Sequence, residues 1–250
     1  FHSKKRILHL KFKWRQNMRL NKFISLCGFA SRRAADELIK EQKVSVNGEI
    51  VQDLGRQVQE SDLVEIEGKK LSLPQKTTVI AFHKPAGCVC TCKDPQKRQT
   101  VYDFLPPGYK GLKYIGRLDL QSRGLLLFTD DGELAHRLTL PKYKILRHYL
   151  VWTDSPVKKS DAEQLIEGID LEDGIKGFAE AVFFEEGCIE LVLSEGKNRE
   201  IRKMMAAIGY EIEDLQRIAY ADIDLGDLAS GDYRELSDKE VQLLKKSCGL

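Results

Sequence analysis

Asp119 stands between Leu118 and Leu120, three residues after Gly116, and is followed by Ser122, Gly124 and the apolar run Leu125-Leu126-Leu127-Phe128. The run reads as a buried strand, and a carboxylate set against buried apolar surface is costly unless it is paired or used. A lone Asp in a loop is ordinarily a cap or a surface residue, but the company here argues for more. Gly116 lets backbone approach closely, and Arg117 and Arg123 are at hand for phosphates. An ionised carboxylate can attack or stabilise an anomeric centre and then leave, as in retaining glycosidases. Two-carboxylate glycoside cleavage would want a second acid in a comparable motif, and none is present.

Two other stretches carry candidate chemistry. Leu191-Val-Leu-Ser-Glu-Gly-Lys-Asn-Arg-Glu-Ile-Arg202 reads as a strand, a Gly turn and a helix start, with Lys197, Asn198 and Arg199 at the turn where a nucleic-acid backbone could be met. Ile201, Met204, Met205 and Ile208 recur at helical spacing, which sets Arg202 beside a buried face. A buried Arg needs a carboxylate, and Asp119 is the partner expected; the alternative is a surface pair with Glu195 or Glu200. Tyr149 lies in the strand-like Leu146-Arg147-His148-Tyr149-Leu150-Val151. By itself a strand Tyr is a packing residue.

Other classes of site find little support. Cys88, Cys90 and Cys92 alternate, with His83 nearby. On a strand their sulfurs would be spread along one face rather than gathered in the close pairs that zinc uses, so no metal is expected. No Gly-rich nucleotide fingerprint occurs. No apolar run is long enough to cross a bilayer. Six cysteines without a regular framework, and no secretory apolar segment, point to a reducing, cytoplasmic setting.

The elements that must position these residues begin at Met18. Leu20, Phe23, Ile24 and Cys27 follow helical spacing up to Gly28, a stop signal. Ser31 is placed to cap a second helix over 32–40. Val44-Ser-Val46, Asn47-Gly48 and Glu49-Ile-Val51 are strand, tight turn and strand, and Asp62 to Ile66 adds another strand. The formal charge of +2 is unevenly spread: 1–17 carries +6, 18–46 carries +3, 47–70 carries −3 and the remainder −4. Positive charge at one end suits a polyanionic partner. Arg19, Lys22, Arg32 and Arg33 would form a basic face suited to phosphates. Phe23 and Phe29 are candidate stacking platforms, although Phe23 sits on the apolar stripe and fits core packing better.

Gly116-Arg117-Leu118-Asp119, with Gly124-Leu125-Leu126 and Thr129-Asp130-Asp131-Gly132 behind it, resembles the central motif of pseudouridine synthases, in the branch that modifies ribosomal RNA. His83-Lys84-Pro85-Ala-Gly87, Arg147-His-Tyr149, Gly196-Lys-Asn-Arg199 followed by Arg202, and Leu215-Gln-Arg217 resemble its further motifs. Ser31-Arg32-Arg33 and Val44-Ser-Val-Asn-Gly48 resemble the S4-like RNA-binding module that this branch carries in front. The match runs from about Met18 to Leu236.

The resemblance implies an α+β architecture: a small S4-like domain, then a catalytic domain with a mixed or antiparallel sheet and a central cleft. The expected division is a basic extension over 1–17, the S4-like domain over 18–66, a linker over 67–77 and the catalytic domain over 78–250. Residues 1–17 read as an unstructured segment upstream of Met18, with a targeting segment or an RNA-gripping arm as alternatives. By the same resemblance, Asp119 is the required carboxylate, acting on the sugar or on the uracil ring. Tyr149 stacks on the extruded base and serves in proton transfer, and Arg202 completes the catalytic set. Lys84-Pro85 supports the site without doing chemistry. Arg147 stands where Lys is usual, which changes the geometry of any phosphate contact. Arg19, Lys22, Arg32, Arg33, Arg117, Arg123, Arg147, Lys197, Asn198 and Arg199 are the expected RNA contacts. The partner is ribosomal RNA, free or in a pre-ribosomal particle. No cofactor and no membrane contact are expected, and the family is usually monomeric. The contrasting reading is an inactive RNA-binding assembly factor, in which Asp119, Tyr149 or Arg202 would be missing.

Overall fold

A computed structural model describes residues 17–74, 76–171, 174 and 176–250. The expected extension over 1–17 lies, but for Asn17, outside the described residues. The chain divides into two units between Lys76 and Thr77.

The first unit runs β1 (Met18–Arg19), α1 (Leu20–Leu26), α2 (Arg32–Lys40), β2 (Val44–Val46), β3 (Glu49–Ile50), β4 (Gln57–Val58), β5 (Val64–Ile66) and β6 (Lys69–Lys70). Gly28, at φ +73°, ends the first helical turn region as anticipated. Ser31 caps α2, its Oγ accepting from the Ala34 amide at 3.2 Å. Asn47 (φ +55°) and Gly48 (φ +85°) both take left-handed conformations, which is the turn that matches strand twist in a two-residue hairpin. Asn47 also donates to Asp62 and accepts from the Leu63 amide, each at 2.9 Å, so the turn fixes where β5 lies. Four strands pair in the order β3-β2-β5-β6. Leu20, Phe23, Ile24, Ala35, Ile39, Val44, Val46, Val64 and Ile66 fill the core beneath them. Phe23 is thus a packing residue, whereas Phe29 is exposed.

The expected linker over 67–77 is corrected at its front half. Glu67 (φ +49°) and Gly68 (φ +77°) make a second hairpin turn, β6 pairs with β5, and Leu71 and Leu73 pack on the core. Two Lys on an edge strand look like linker by composition, because an exposed edge strand buries little.

The second unit runs β7 (Val79–Lys84), β8 (Lys113–Ile115), β9 (Arg123–Thr129), α3 (Gly132–Thr139), β10 (Arg147–Thr153), α4 (Lys159–Glu167), β11 (Ile169–Asp170), β12 (Lys176–Gly177), β13 (Ala181–Glu185), β14 (Cys188–Leu193), α5 (Glu200–Ala207), β15 (Ile212–Tyr220), β16 (Ile223–Asp224), β17 (Tyr233–Glu235) and α6 (Asp238–Ser247). One sheet follows the path β13-β14-β10-β15-β9-β7-β17, with β16 added to β15 and β8 to β9. All its pairs are antiparallel except β15 with β9. The sheet is therefore mixed, and the α+β expectation holds.

β9 is central and covered on both faces, which is why its sequence is unbroken apolar rather than alternating. Leu125 and Leu127 pack with Leu134 and Leu138 of α3 and Val241 and Leu244 of α6. Leu126 and Phe128 pack on Ile80, Phe82 and Tyr102. Each such side chain, fully buried, contributes about 1.5–3 kcal/mol. A third cluster, with Tyr149, Val151, Leu191, Ile201, Met204 and Leu215, joins α5 to the β14-β10-β15 part of the sheet.

The Cys88 to Cys92 stretch is not a strand. It bends after a single bridge of Val89 with Thr100, leaving Cys88 buried, Cys90 half-buried and Cys92 exposed. The alternation there reflects no sheet, because Pro85 and Gly87 have already turned the chain.

Candidate active site

Residues of three strands (β10, β14 and β15), two loops and the start of α5 build one cleft of about 320 Å³, lined by Arg117, Asp119, Ser122, Tyr149, Arg199 and Arg202 among others. Leu118, Leu193, Ile201 and Leu215 supply its apolar wall. Asp119, Tyr149 and Arg202, more than 80 residues apart in sequence at the extremes, thus meet at one place.

Asp119 is held by its backbone. The Ser122 amide donates to its carbonyl at 3.1 Å, and the Gly87 amide donates to Leu120 at 2.7 Å. Beneath this loop lies Lys84, fully buried at the end of β7, whose Nζ donates to carbonyls of Ser122 (2.7 Å), Asp119 (3.0 Å), Pro85 (3.1 Å) and Leu120 (3.4 Å). An ammonium has three protons, so the long Leu120 contact is the weakest of the four. Burial pushes the Lys84 ammonium below its ordinary value, and the Asp119 carboxylate acts against that shift. A lysine at the end of an otherwise apolar strand was the sequence signal for this role, and the Lys-Pro turn does support the loop that carries Asp119.

Tyr149 is only 8% exposed and rests on Arg217. A register shift in the β10-β15 pairing, where Tyr149 opposes Arg217 but His148 opposes Ala219, leaves Ile218 with no opposite residue on β10 and brings Arg217 and Tyr220 to the same side. The Arg217 guanidinium lies 6.0 Å from the Tyr149 ring centroid and 5.0 Å from that of Tyr220. Its Nε donates to the Leu125 carbonyl at 2.7 Å and its Nη1 to the Tyr149 hydroxyl at 3.4 Å. Gly124 makes this possible. A Cβ there would lie 2.2 Å from the Arg217 carbonyl oxygen, and its φ is +107°. By sequence Arg217 belongs only to a terminal motif; its place in a strand beside Leu215 and Ala219 is the signal of burial.

Arg202 occupies the cleft but does not form the expected contact ion pair with Asp119. Burial, then the like charge of Arg199, holds its guanidinium below the ordinary value, while Asp119 and Asp214 pull the other way. Its Nε is buried with no partner among the described residues. The two charges share a cavity instead of a hydrogen bond. Glu195 and Glu200, the surface alternatives, are taken by Lys197, at 3.0 and 3.7 Å.

The expected RNA contacts separate into groups. Arg117, Lys197, Asn198 and Arg199 line the cleft. Arg117, Asn198 and Arg199 are exposed, whereas the Lys197 ammonium is also held by the Lys176 carbonyl at 2.9 Å. Two others are corrected. Arg123 is not in the cleft: it pairs with Asp214 at 2.7 Å and lies 5.3 Å from the Trp152 ring centroid, because its neighbour Gly124 takes the face toward Arg217. Arg147 is buried, donating to the Ser194 carbonyl at 3.1 Å and stacking 5.1 Å from the Tyr220 ring centroid, so it braces the sheet and meets no solvent-borne phosphate. Arg19, Lys22, Arg32 and Arg33 belong to the first unit, where Arg19, Arg32 and Arg33 are exposed and Lys22 is half-buried. Among the described residues no group of three His, Cys, Asp or Glu is arranged to hold a metal ion. No helix of the described residues is long and apolar enough to cross a membrane.

A Gly-Arg-Leu-Asp loop on a mixed sheet, facing a Tyr and an Arg across a cleft, defines an enzyme class that comparison with known proteins makes explicit. The RNA pseudouridylate synthase family matches residues 78–207, and the S4 domain family matches residues 18–64. The chain belongs to the RNA pseudouridylate synthase family and is an isomerase with an S4 domain in front. It is 40% identical over 233 residues to a protein named ribosomal large subunit pseudouridine synthase B from Bacillus subtilis, covering 91% of this chain and 95% of that one. A protein of the same name from Vibrio vulnificus is 39% identical over 242 residues, covering 92% and 75%. A crystal structure described as a pseudouridylate synthase superposes with a TM-score of 0.66 at 32% identity, over 91% of this chain and 99% of that one.

Proposed function

We propose that the chain converts a uridine of large-subunit ribosomal RNA to pseudouridine, with Asp119 as the reacting carboxylate, Tyr149 as the surface for the extruded uracil and Arg202 as the cation that shares the cleft with them. The observation that carries the residue roles is the shared cleft of about 320 Å³, which is at the small end for a ligand site and suits a single base. The RNA substrate is supported by the names of the relatives and by the basic first unit.

The isomerisation breaks the bond from uracil N1 to the ribose C1′, turns the ring and forms a bond from C5 to C1′. C5 then loses its proton and N1 gains one, so no oxidant, reductant or co-substrate is consumed. Asp119 supplies the carboxylate that handles the detached fragment. The apolar wall excludes water from it while the ring turns. Tyr149, whose hydroxyl accepts from Arg217, moves the proton at C5 in this reading. All six cysteines are free, which supports a reducing, cytoplasmic setting.

Carbodiimide mapping of ribosomal RNA from cells with and without this protein tests the reading. One uridine should lose its modification when the protein is absent; an unchanged map of both subunits removes the substrate. Asp119→Asn should abolish product while RNA affinity stays within a few-fold, and retained turnover means that another group does the chemistry.

A further inference from the structure

Beyond the 197–199 turn, the buried Arg147 links the cleft to a second basic stretch of chain. On one side Arg147 donates to the Ser194 carbonyl at 3.1 Å, and a Cβ placed on the cleft residue Gly196 would lie 3.6 Å from Arg147 Nη1. On the other side its Nη2 reaches the Leu138 carbonyl at 3.5 Å and the Tyr220 hydroxyl at 3.4 Å. This buried guanidinium therefore ties the 194–199 turn to the end of α3, where the connection to β10 begins.

That connection is basic and open. Lys142, Lys144 and Leu146 are exposed and Tyr143 is half-buried. Lys142 Nζ lies 4.9 Å, and the Arg137 guanidinium 5.7 Å, from the Tyr143 ring centroid, so the ring is fixed between cations. Arg137 is already neutralised by Glu133 at 2.9 Å, whereas neither Lys142 nor Lys144 forms an ion pair with any described residue. Lys144 sits at φ 46°, ψ 45°. Left-handed backbone costs a residue with a side chain about 1–2 kcal/mol, and such outliers persist where the surroundings impose them. Lys144 lies five positions before Tyr149, a path of at most about 18 Å when extended.

We propose that 142–146 is a second RNA-backbone rim, in which Lys142 and Lys144 hold phosphates within a few nucleotides of the base at Tyr149, and the 197–199 turn holds the strand on the other side of Arg147. Phosphates, not base edges, are the target, because both side chains are flexible point charges. The inference rests on the RNA substrate proposed above.

The test reads binding as well as turnover. RNA affinity of the full chain is measured against salt concentration for the natural protein, the Lys142→Ala/Lys144→Ala double variant and a Lys159→Ala control on α4, using a stem–loop that contains the target uridine. Each lost phosphate contact should lower the log–log slope by about 0.7–0.9, so the double variant should fall by about 1.4–1.8 and the control by nothing. Affinity at low salt should weaken several-fold, with turnover at saturating RNA within about twofold of the natural protein. A slope equal to that of the control, or an equal loss in both variants, overturns the rim. Natural protein that binds the RNA but makes no pseudouridine would instead remove the activity assigned above, and the slope comparison would still decide the rim.

Discussion

Gly124→Ala is the change that most directly probes how the fold makes the site. The added Cβ would stand 2.2 Å from the Arg217 carbonyl oxygen and 2.6 Å from its amide nitrogen, and both belong to backbone. Neither can swing aside as a flexible side chain would, so β9 and β15 must separate by about 1 Å to restore ordinary contact. Overpacking of a closed interior costs about 1–3 kcal/mol, and a non-Gly residue held at positive φ adds about 1–2. A loss of about 2–5 kcal/mol follows, a large share of the roughly 5–15 that holds a domain together. The same displacement carries Arg217 away from the Leu125 carbonyl and the Tyr149 hydroxyl. Misplacement of about 1 Å can lower turnover by about 100-fold. Denaturant unfolding gives the first quantity; tritium release from C5-labelled uridine RNA, under conditions where the variant is folded, gives the second. A variant within 1 kcal/mol of the natural protein and within threefold of its turnover would refute the claim that this glycine lets Arg217 support Tyr149.

Lys84→Met keeps the length of the side chain but strips the donors from the carbonyls of Asp119 and Ser122; turnover should fall by about 100-fold with RNA affinity nearly unchanged, and full activity in a single-turnover assay would show that the loop holds itself. Arg123→Ala should leave RNA affinity within twofold, since the guanidinium is engaged with Asp214 and Trp152; a tenfold weakening in a binding titration would return it to the RNA contacts. Glu240 is held down to about 2 by Arg234 first, and then by the Ser237 amide and hydroxyl. Because its folded value is depressed, its stabilisation is present above the unfolded carboxyl range near 4.3 and is lost as pH falls toward about 2. The melting-temperature gap between the natural protein and Glu240→Gln should therefore be constant from neutral pH down to about pH 5 and close below that; a gap that widens on acidification refutes the assignment.

Much of the site was legible before any coordinates. Local rules act over a few residues, so the Asn47-Gly48 turn, the Ser31 cap and the buried β9 could be read from spacing and residue type alone. The motif around Asp119, with Tyr149 and Arg202, pointed to side chains that the fold brings to one cleft. What those rules could not supply was the direction of individual cations. Arg117, Arg123, Arg147 and Arg202 look equivalent as residues near motifs, yet one is exposed on the rim, one is paired with Asp214, one is buried against Tyr220 and one faces the cavity. Likewise the front of the supposed linker became β6, because edge pairing leaves little apolar signature.

Sequence by itself determined which side chains are available to the cleft, since a carboxylate, a tyrosine and an arginine are there or not, and short-range backbone preferences hold wherever the chain goes. Tertiary structure alone decided which charges reach the cleft. That choice depends on one close parallel approach at Gly124, between strands some 90 residues apart, and one register shift at Ile218, between strands some 70 apart, where packing outweighs any local preference.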